Sequence, residues 1–413
     1  MFEGYRRLLG KPGASSFVFA GLLSRLVGSM FNISLILMLQ IQYSSYAVAG
    51  RVAAIGVFVW ALQTVPTARI VDRLGQRAAM WPMVGLHIVG VVIAIATAMT
   101  RGPEPFLWVA VVFASLTGPL GSLTRARWSH LLTTDQEIHA AFSLEGALDE
   151  TLYIAGPALS VVLATSVHPA AGLVVSTTAL VVGMAILLPQ KATEPPPRTG
   201  TDGASLGFRV PPSVIAVSLI ATALGLMFGA IDLSTVAFAD SLGQKPWAGA
   251  ALGMLSLGSF LGGLAYGSRK WTSPLWQRIV AVSFLAAAGF SFLSVQPNLI
   301  LFGAVGFFAG SAIAPLLASS DNVIQRSVRK DQLMEGLAWL RIGIGIGVGV
   351  GAWLAGGLVQ TSGARAGLTL AGGSALLVAV AAVATIPWLR SVRGANADAG
   401  ELEIEVPPVP PSF

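Results

Sequence analysis

Runs of mostly apolar residues long enough to cross a bilayer recur twelve times along the chain, separated by short polar gaps. A hydrocarbon core about 30 Å thick needs about 20 residues of helix. Inside it, only a helix or a closed barrel can satisfy its own backbone. The pattern predicts twelve spanning helices at roughly 16–42, 47–70, 78–99, 106–128, 140–166, 169–188, 212–239, 247–268, 275–296, 298–320, 334–360 and 365–389. The first run follows Arg6, Arg7 and Lys11, as a signal peptide would. It has full membrane length and carries Arg25 and Asn32, so it is read as a retained span.

The widest interior gap, Pro189–Pro211, contains Pro195, Pro196, Pro197 and Gly200 and reads as a cytoplasmic linker. It divides the chain into an N-terminal six-helix bundle (1–188) and a C-terminal one (212–393). The tail 394–413 is acidic and proline-rich, which predicts disorder. The expected fold class is all-α integral membrane, with two pseudo-symmetric six-helix bundles.

Composition agrees: 54% of residues are hydrophobic and 11% charged, with mean hydropathy +0.75. Twelve spans leave no room for a soluble catalytic domain. Cysteine is absent, and His87, His130, His139 and His168 lack metal-ligand spacing. No metal, cofactor or enzymatic activity is expected. Basic residues fall in short loop clusters rather than one patch, which argues against nucleic acid. The expected partners are a small-molecule substrate, protons and the lipid bilayer, with the chain acting as a monomer.

Orientation follows from the basic residues. With the N-terminus inside, every inner segment carries two or three Lys or Arg. The outer side holds only Arg51, Arg101, Lys245 and Arg365. Both termini are therefore expected in the cytoplasm, and the protein in the cytoplasmic membrane.

The second inner segment reads ARIVDRLGQRAAM (Ala68–Met80). It resembles the Gly-x-x-x-Asp-Arg-x-Gly-Arg-Arg loop of the major facilitator superfamily. Asp72, Arg73, Gly75 and Arg77 match, whereas Ala68 replaces the leading glycine and Gln76 a basic residue. The second half has a degenerate copy, GGLAYGSRK (Gly262–Lys270), as a duplicated unit predicts. In YIAGPALS (Tyr153–Ser160), Gly156-Pro157 resembles the core of that family's antiporter signature, with Ser160 and Val161 in place of its following glycines. The eleventh span is similar to the glycine-rich counterpart in actinobacterial-type exporters. The resemblance implies that Asp72, Arg73, Gly75 and Arg77 form a cytoplasmic gate, shut when the site faces outward, with Asp72 meeting the start of the eleventh helix. The chain departs from proton-antiporting drug exporters of the family in one place: no arginine lies deep in its fourth span, where Arg125 and Arg127 come only at the cytoplasmic end.

Charges at membrane depth are costly and usually functional. Glu145 and Asp149 share one face of the fifth span, with Glu150 turned away. Crowded carboxylates of this kind are candidates for proton coupling. The alternative is that Glu145 is solvated at the cytoplasmic end while Asp149 and Glu150 pair structurally with arginine. Arg25 is the natural partner by depth, as a switch or a permanent pair. Asp232, midway along the seventh span, is the best single candidate for a proton or cation, or else only orients substrate. Asp240 and Lys245 are expected to meet water in an outer loop. Arg341 is expected to snorkel or to pair with Asp321 or Glu335, in a structural or gating role.

Asn32, Trp60 and Gln63 are candidates for the substrate cavity. Gln40 and Gln325 also have polar side chains within spans, which serve a ligand or act as interhelical glue. Gly343, Gly347 and Gly351 form a smooth face for close helix packing, and Gly156 and Pro157 also belong to packing. Pro66, Pro119, Pro157 and Pro315 are expected kinks.

These features together predict a secondary transporter of alternating-access type, exporting a small, partly apolar organic molecule against protons. A sugar or metabolite importer is the first alternative, and a lipid scramblase or flippase the second.

Overall fold

The computed structural model describes residues 2–197, 210–269, 271–328 and 333–392. The tail 394–413, most of the linker (including Arg198 and Arg209) and the basic loop residues Lys270, Arg329, Lys330 and Arg393 lie outside the described residues. The helices are α1 Phe2–Leu9, α2 Ala14–Tyr43, α3 Tyr46–Leu74, α4 Gln76–Met99, α5 Glu104–Ala114, α6 Leu120–Leu131, α7 Asp135–Ser166 and α8 Ala171–Leu187. They continue as α9 Pro212–Ser241, α10 Ala248–Gly267, α11 Leu275–Leu293, α12 Leu299–Gly310, α13 Ile313–Ser327, α14 Leu333–Ser362, α15 Ala364–Ala384 and α16 Ile386–Arg390. With α5–α6 and α12–α13 each taken as one crossing, these make two six-helix bundles.

Two spans read as continuous helices are broken. The fourth stops at Ala114 and resumes at Leu120. Pro119, expected as a kink, instead caps the second piece. Gly118 adopts φ 71°, and the residue before a proline is pushed out of the helical region. The opened turn is plugged by His87 of α4, fully buried, which bonds the carbonyl of Ala114 through Nδ1. A carbonyl only accepts, so Nδ1 carries the proton, and Thr177 Oγ1 of α8, 3.1 Å away, donates to Nε2. The tenth span breaks at the corresponding place, between Gly310 and Ile313. There Pro315 falls in the first turn of α13, where its missing N–H is no loss. Pro66 and Pro157 lie inside unbroken helices.

The face of the molecule that carries α1 and most of the basic residues is called the basic face. On the opposite face one apolar core is continuous across both bundles. It joins Leu35–Leu39, Ala53 and Val161 of the first six spans to Val236, Phe238, Phe302 and Ala355 of the last six. On the basic face the first bundle has a separate core of its own, built on Phe17, Met80, Trp128 and Met184. The two bundles are thus fused at one end.

Candidate functional site: a central cleft and its two ends

Close helix approach seals the fused end. Along α3 and α14, Gly50 meets Ala352 and Gly356, Phe58 meets Gly349, and Ala61 meets Gly345. On the other seam, Gly249 of α10 sits on Pro157 and Ala158 of α7, with Gly253 near Ile154. Beyond Ala61–Gly345 toward the basic face, Ile70, Asp72, Arg73 and Leu74 on α3 and Trp339 and Arg341 on α14 are exposed. The separate core of the first bundle on the basic face shares no residue with the second bundle, so the cleft opens there.

The glycines of α14 serve two partners. Gly343, Gly347 and Gly351 pack on Ser218, Thr222 and Leu226 of α9 within the second bundle. The intervening Gly345 and Gly349 form the seam with α3, a second face that the sequence reading did not assign. Gly156 approaches Ser29 of α2.

A polar latch completes the seal. Tyr46 Oη donates to Asp240 Oδ2 (2.8 Å), and the Tyr46 N–H donates to Gln360 Oε1 (2.9 Å). Lys245 Nζ lies 3.3 Å from Asp240 Oδ2 and also bonds Gln40. Asp240 and Lys245 do not simply meet water, as expected; they tie the end of α9 to α2 and α3. No sequence signal pointed to this, since the partners lie about 200 positions away.

Deep in the first bundle, Arg25 stands between two carboxylates. Its Nη2 is 2.6 Å from Glu145 Oε2 and its Nη1 2.9 Å from Asp149 Oδ1. Arg25 is 6% and Glu145 0% exposed, so Glu145 is not a solvated end group. Glu145 accepts from Trp128 Nε1 (2.9 Å) and Thr124 Oγ1 (3.3 Å), both on α6. Asp149, partly exposed, also receives Arg125 Nη2 at 3.4 Å. A buried ion pair tolerates desolvation only when its remaining lone pairs are satisfied. The α6 donors do that for Glu145. Glu150, half-buried, has no ion-pair partner among the described residues.

Asp232 is half-buried in α9, with no hydrogen bond or ion pair among the described residues. It lies about 13 Å from the sealed end of α9, and Asn32, also half-buried, is at nearly the same depth in α2. Both stand below the latch. Arg341 is exposed and pairs with neither Asp321 nor Glu335 at ion-pair distance. Gln63 is buried on α3, on the same face as Gly56, which meets Val111 and Ser115. Trp60 is exposed. Asp72 and Arg73 are exposed without partners among the described residues, whereas Gly75 and Arg77 contact Glu194. Gln325 is exposed at the end of α13.

Solved structures share this fold. A bacterial homologue of the lysosomal transporter Spinster, inward-facing and unoccupied, superposes with TM-score 0.70 at 14% identity, covering 93% of this chain and 98% of that one. The fold is that of the major facilitator transporters. A POT family transporter in complex with a thioalcohol-conjugated peptide gives 0.69 at 11% identity, over 92% and 98%. A mutant of the nucleoside transporter NupG gives 0.66 at 13%, over 90% and 98%. No family model matches the sequence, and no curated protein matches it either. At these identities the likeness is one of fold.

Proposed function

We propose that the chain is a secondary transporter working by alternating access, caught here open to the cytoplasm and exporting a small, partly apolar organic molecule in exchange for protons. One observation carries the reading: the bundles are fused at one end and parted at the other, with Asp232 and Glu150 half-buried in α9 and α7 and without an ion-pair partner among the described residues. Such a cleft becomes a carrier when the seam and the latch open and the opposite end closes. Placing the open end in the cytoplasm rests on the positive-inside asymmetry. Export is supported by the resemblance of Gly156-Pro157 to an antiporter signature.

Asp232, Glu150 and the Arg25–Glu145–Asp149 group are the proton-coupling residues in this reading. One proton moving down about 100 mV supplies roughly 2.3 kcal/mol, enough for a gradient of about 40-fold. A proton reaching Asp149 would loosen Arg25, leaving it held by Glu145 and the Gly21 carbonyl.

The test is uptake of candidate amphipathic compounds into inside-out vesicles with an acidified lumen. Uptake that collapses with a protonophore, and that Asp232→Asn and Glu150→Gln each reduce at least tenfold, is the expected result. Uptake driven only in right-side-out vesicles would make the protein an importer. Gradient-independent movement of lipid would make it a scramblase.

A further inference from the structure

The stretch that leaves α8 is docked on the bundle. Gln190 Nε2 donates to Ser16 Oγ of α2 (2.9 Å). The short 3₁₀ turn Lys191–Thr193 buries Thr193, whose methyl group packs against Gly13. Arg127 of α6, completely buried, donates through Nη1 to the Gln190 carbonyl (3.0 Å) and to Thr193 Oγ1 (2.7 Å). Its Nε donates to Gln76 Oε1 (2.8 Å), and Gln76 Nε2 donates on to the Leu123 carbonyl (3.1 Å).

Gln76 is the first residue of α4 and directly follows Gly75 of the gate loop. Gly75, at φ 85°, offers that helix no side-chain cap. The first N–H groups of a helix have no partner within it. Here the Arg77 N–H is taken by Glu194 Oε1 at 3.1 Å, delivered by the residue that follows the 3₁₀ turn. A carboxylate at a helix N-terminus also meets the positive end of the helix dipole. The gate loop is thus gripped twice by groups that meet at the start of the linker: by Glu194 directly, and by Arg127 through Gln76.

We infer that the start of the linker is a working part of the gate, with Glu194 as a positioning residue that holds the loop from Asp72 to Arg77 ready to dock. The inference rests on the alternating-access reading. With the cleft open on the basic face, Asp72 and Arg73 touch no partner among the described residues. Closing that end requires the loop to meet the second bundle. A loop already ordered by its own bundle loses less conformational entropy on docking, so the closed state is easier to reach. Every described group in the clasp belongs to the first bundle or to the linker's first residues, so the clasp can survive a rigid rocking of the bundles. In this chain Gln76, which breaks the loop pattern, supplies the acceptor that the buried Arg127 needs.

The cysteine-free chain allows a direct test. Spin labels at His130→Cys and Arg326→Cys, exposed at the basic ends of α6 and α13, report the width of the mouth in full-length protein in nanodiscs. The otherwise unaltered chain is expected to show a wide and a narrow population. Glu194→Ala should deplete the narrow population severalfold. Glu194→Gln, which keeps a carbonyl acceptor for the Arg77 N–H, should restore it. If Glu194→Ala does not fold, Glu194→Ser, whose hydroxyl is too short to reach the Arg77 N–H, removes the same acceptor and should act alike. A purely structural role would lower the melting temperature without moving the ratio of populations. An unchanged ratio in Glu194→Ala, or equal depletion in Glu194→Gln, overturns the inference. A single width under every condition in the parent protein removes alternating access itself, and the inference with it.

Discussion

Removing Arg25 should be more damaging than neutralising Glu145, the buried carboxylate it holds. Arg25→Met leaves Glu145, which has no exposed surface, facing Asp149 with only Arg125 at 3.4 Å to compensate. Breaking a buried pair by deleting one partner costs about 3–5 kcal/mol. Glu145→Gln is gentler. Its carbonyl can still accept from Trp128, and Arg25 keeps Asp149 at 2.9 Å, so the loss is that of one charged hydrogen bond, about 1.5–3 kcal/mol. The double variant Arg25→Met/Glu145→Gln no longer buries an unmatched charge and should be more stable than the two losses summed, by at least about 1 kcal/mol. Reversible unfolding in mixed micelles at rising SDS fraction measures all four corners of this cycle. The exposed Arg69→Met is the control. If Arg25→Met costs no more than Arg69→Met, or if the cycle is additive, the two charges do not hold one another and the pairing argument fails.

Other elements yield further expectations. Tyr46→Phe deletes the hydroxyl that reaches Asp240; a loss of about 1 kcal/mol should raise the population open at the latched end about fivefold, read as labelling of a Leu233→Cys reporter by an impermeant thiol reagent from the outside, and unchanged labelling would show the latch to be idle. Gly347→Ala forces a methyl onto the α9 backbone, 2.6 Å from the Leu226 nitrogen, and should cost about 1–3 kcal/mol by overpacking. Gly357→Ala, which meets open space on the same helix, should be silent in the same unfolding assay. His87→Phe leaves the Ala114 carbonyl buried without its donor, about 1–3 kcal/mol; wild-type stability in that variant would mean the break in the fourth span needs no plug.

Much of the architecture was legible in one dimension, because membrane thickness converts directly into the length of an apolar run. Most span ends came out within five residues for that reason, although the tenth runs on to Ser327. The two broken helices did not, because a break of two to five residues leaves the apolar run intact; Gly118-Pro119 was the one local cue to the first of them. For the candidate site, the depth along each helix brought Arg25 level with the acids of α7, but the choice of partner depends on how α2 and α7 are rotated and on what α6 offers. That is why Glu145, capped by Trp128 and Thr124, is paired while Glu150 has no ion-pair partner among the described residues.

By itself, then, the sequence determined what depends on spacing along a single strand of chain: the crossings, their six-and-six division, the candidate acids and bases and the position of the Asp72–Arg77 loop. Tertiary structure alone decided what depends on neighbours brought together from far apart. It set the latch from Gln40 and Tyr46 to Asp240 and Lys245, the second glycine face of α14, the clasp of Arg127 and Glu194 on the gate loop, and which end is open. The reason is physical: burial in lipid acts on each helix separately, whereas hydrogen bonds and close packing act over a few ångströms and exist only once two helices have met.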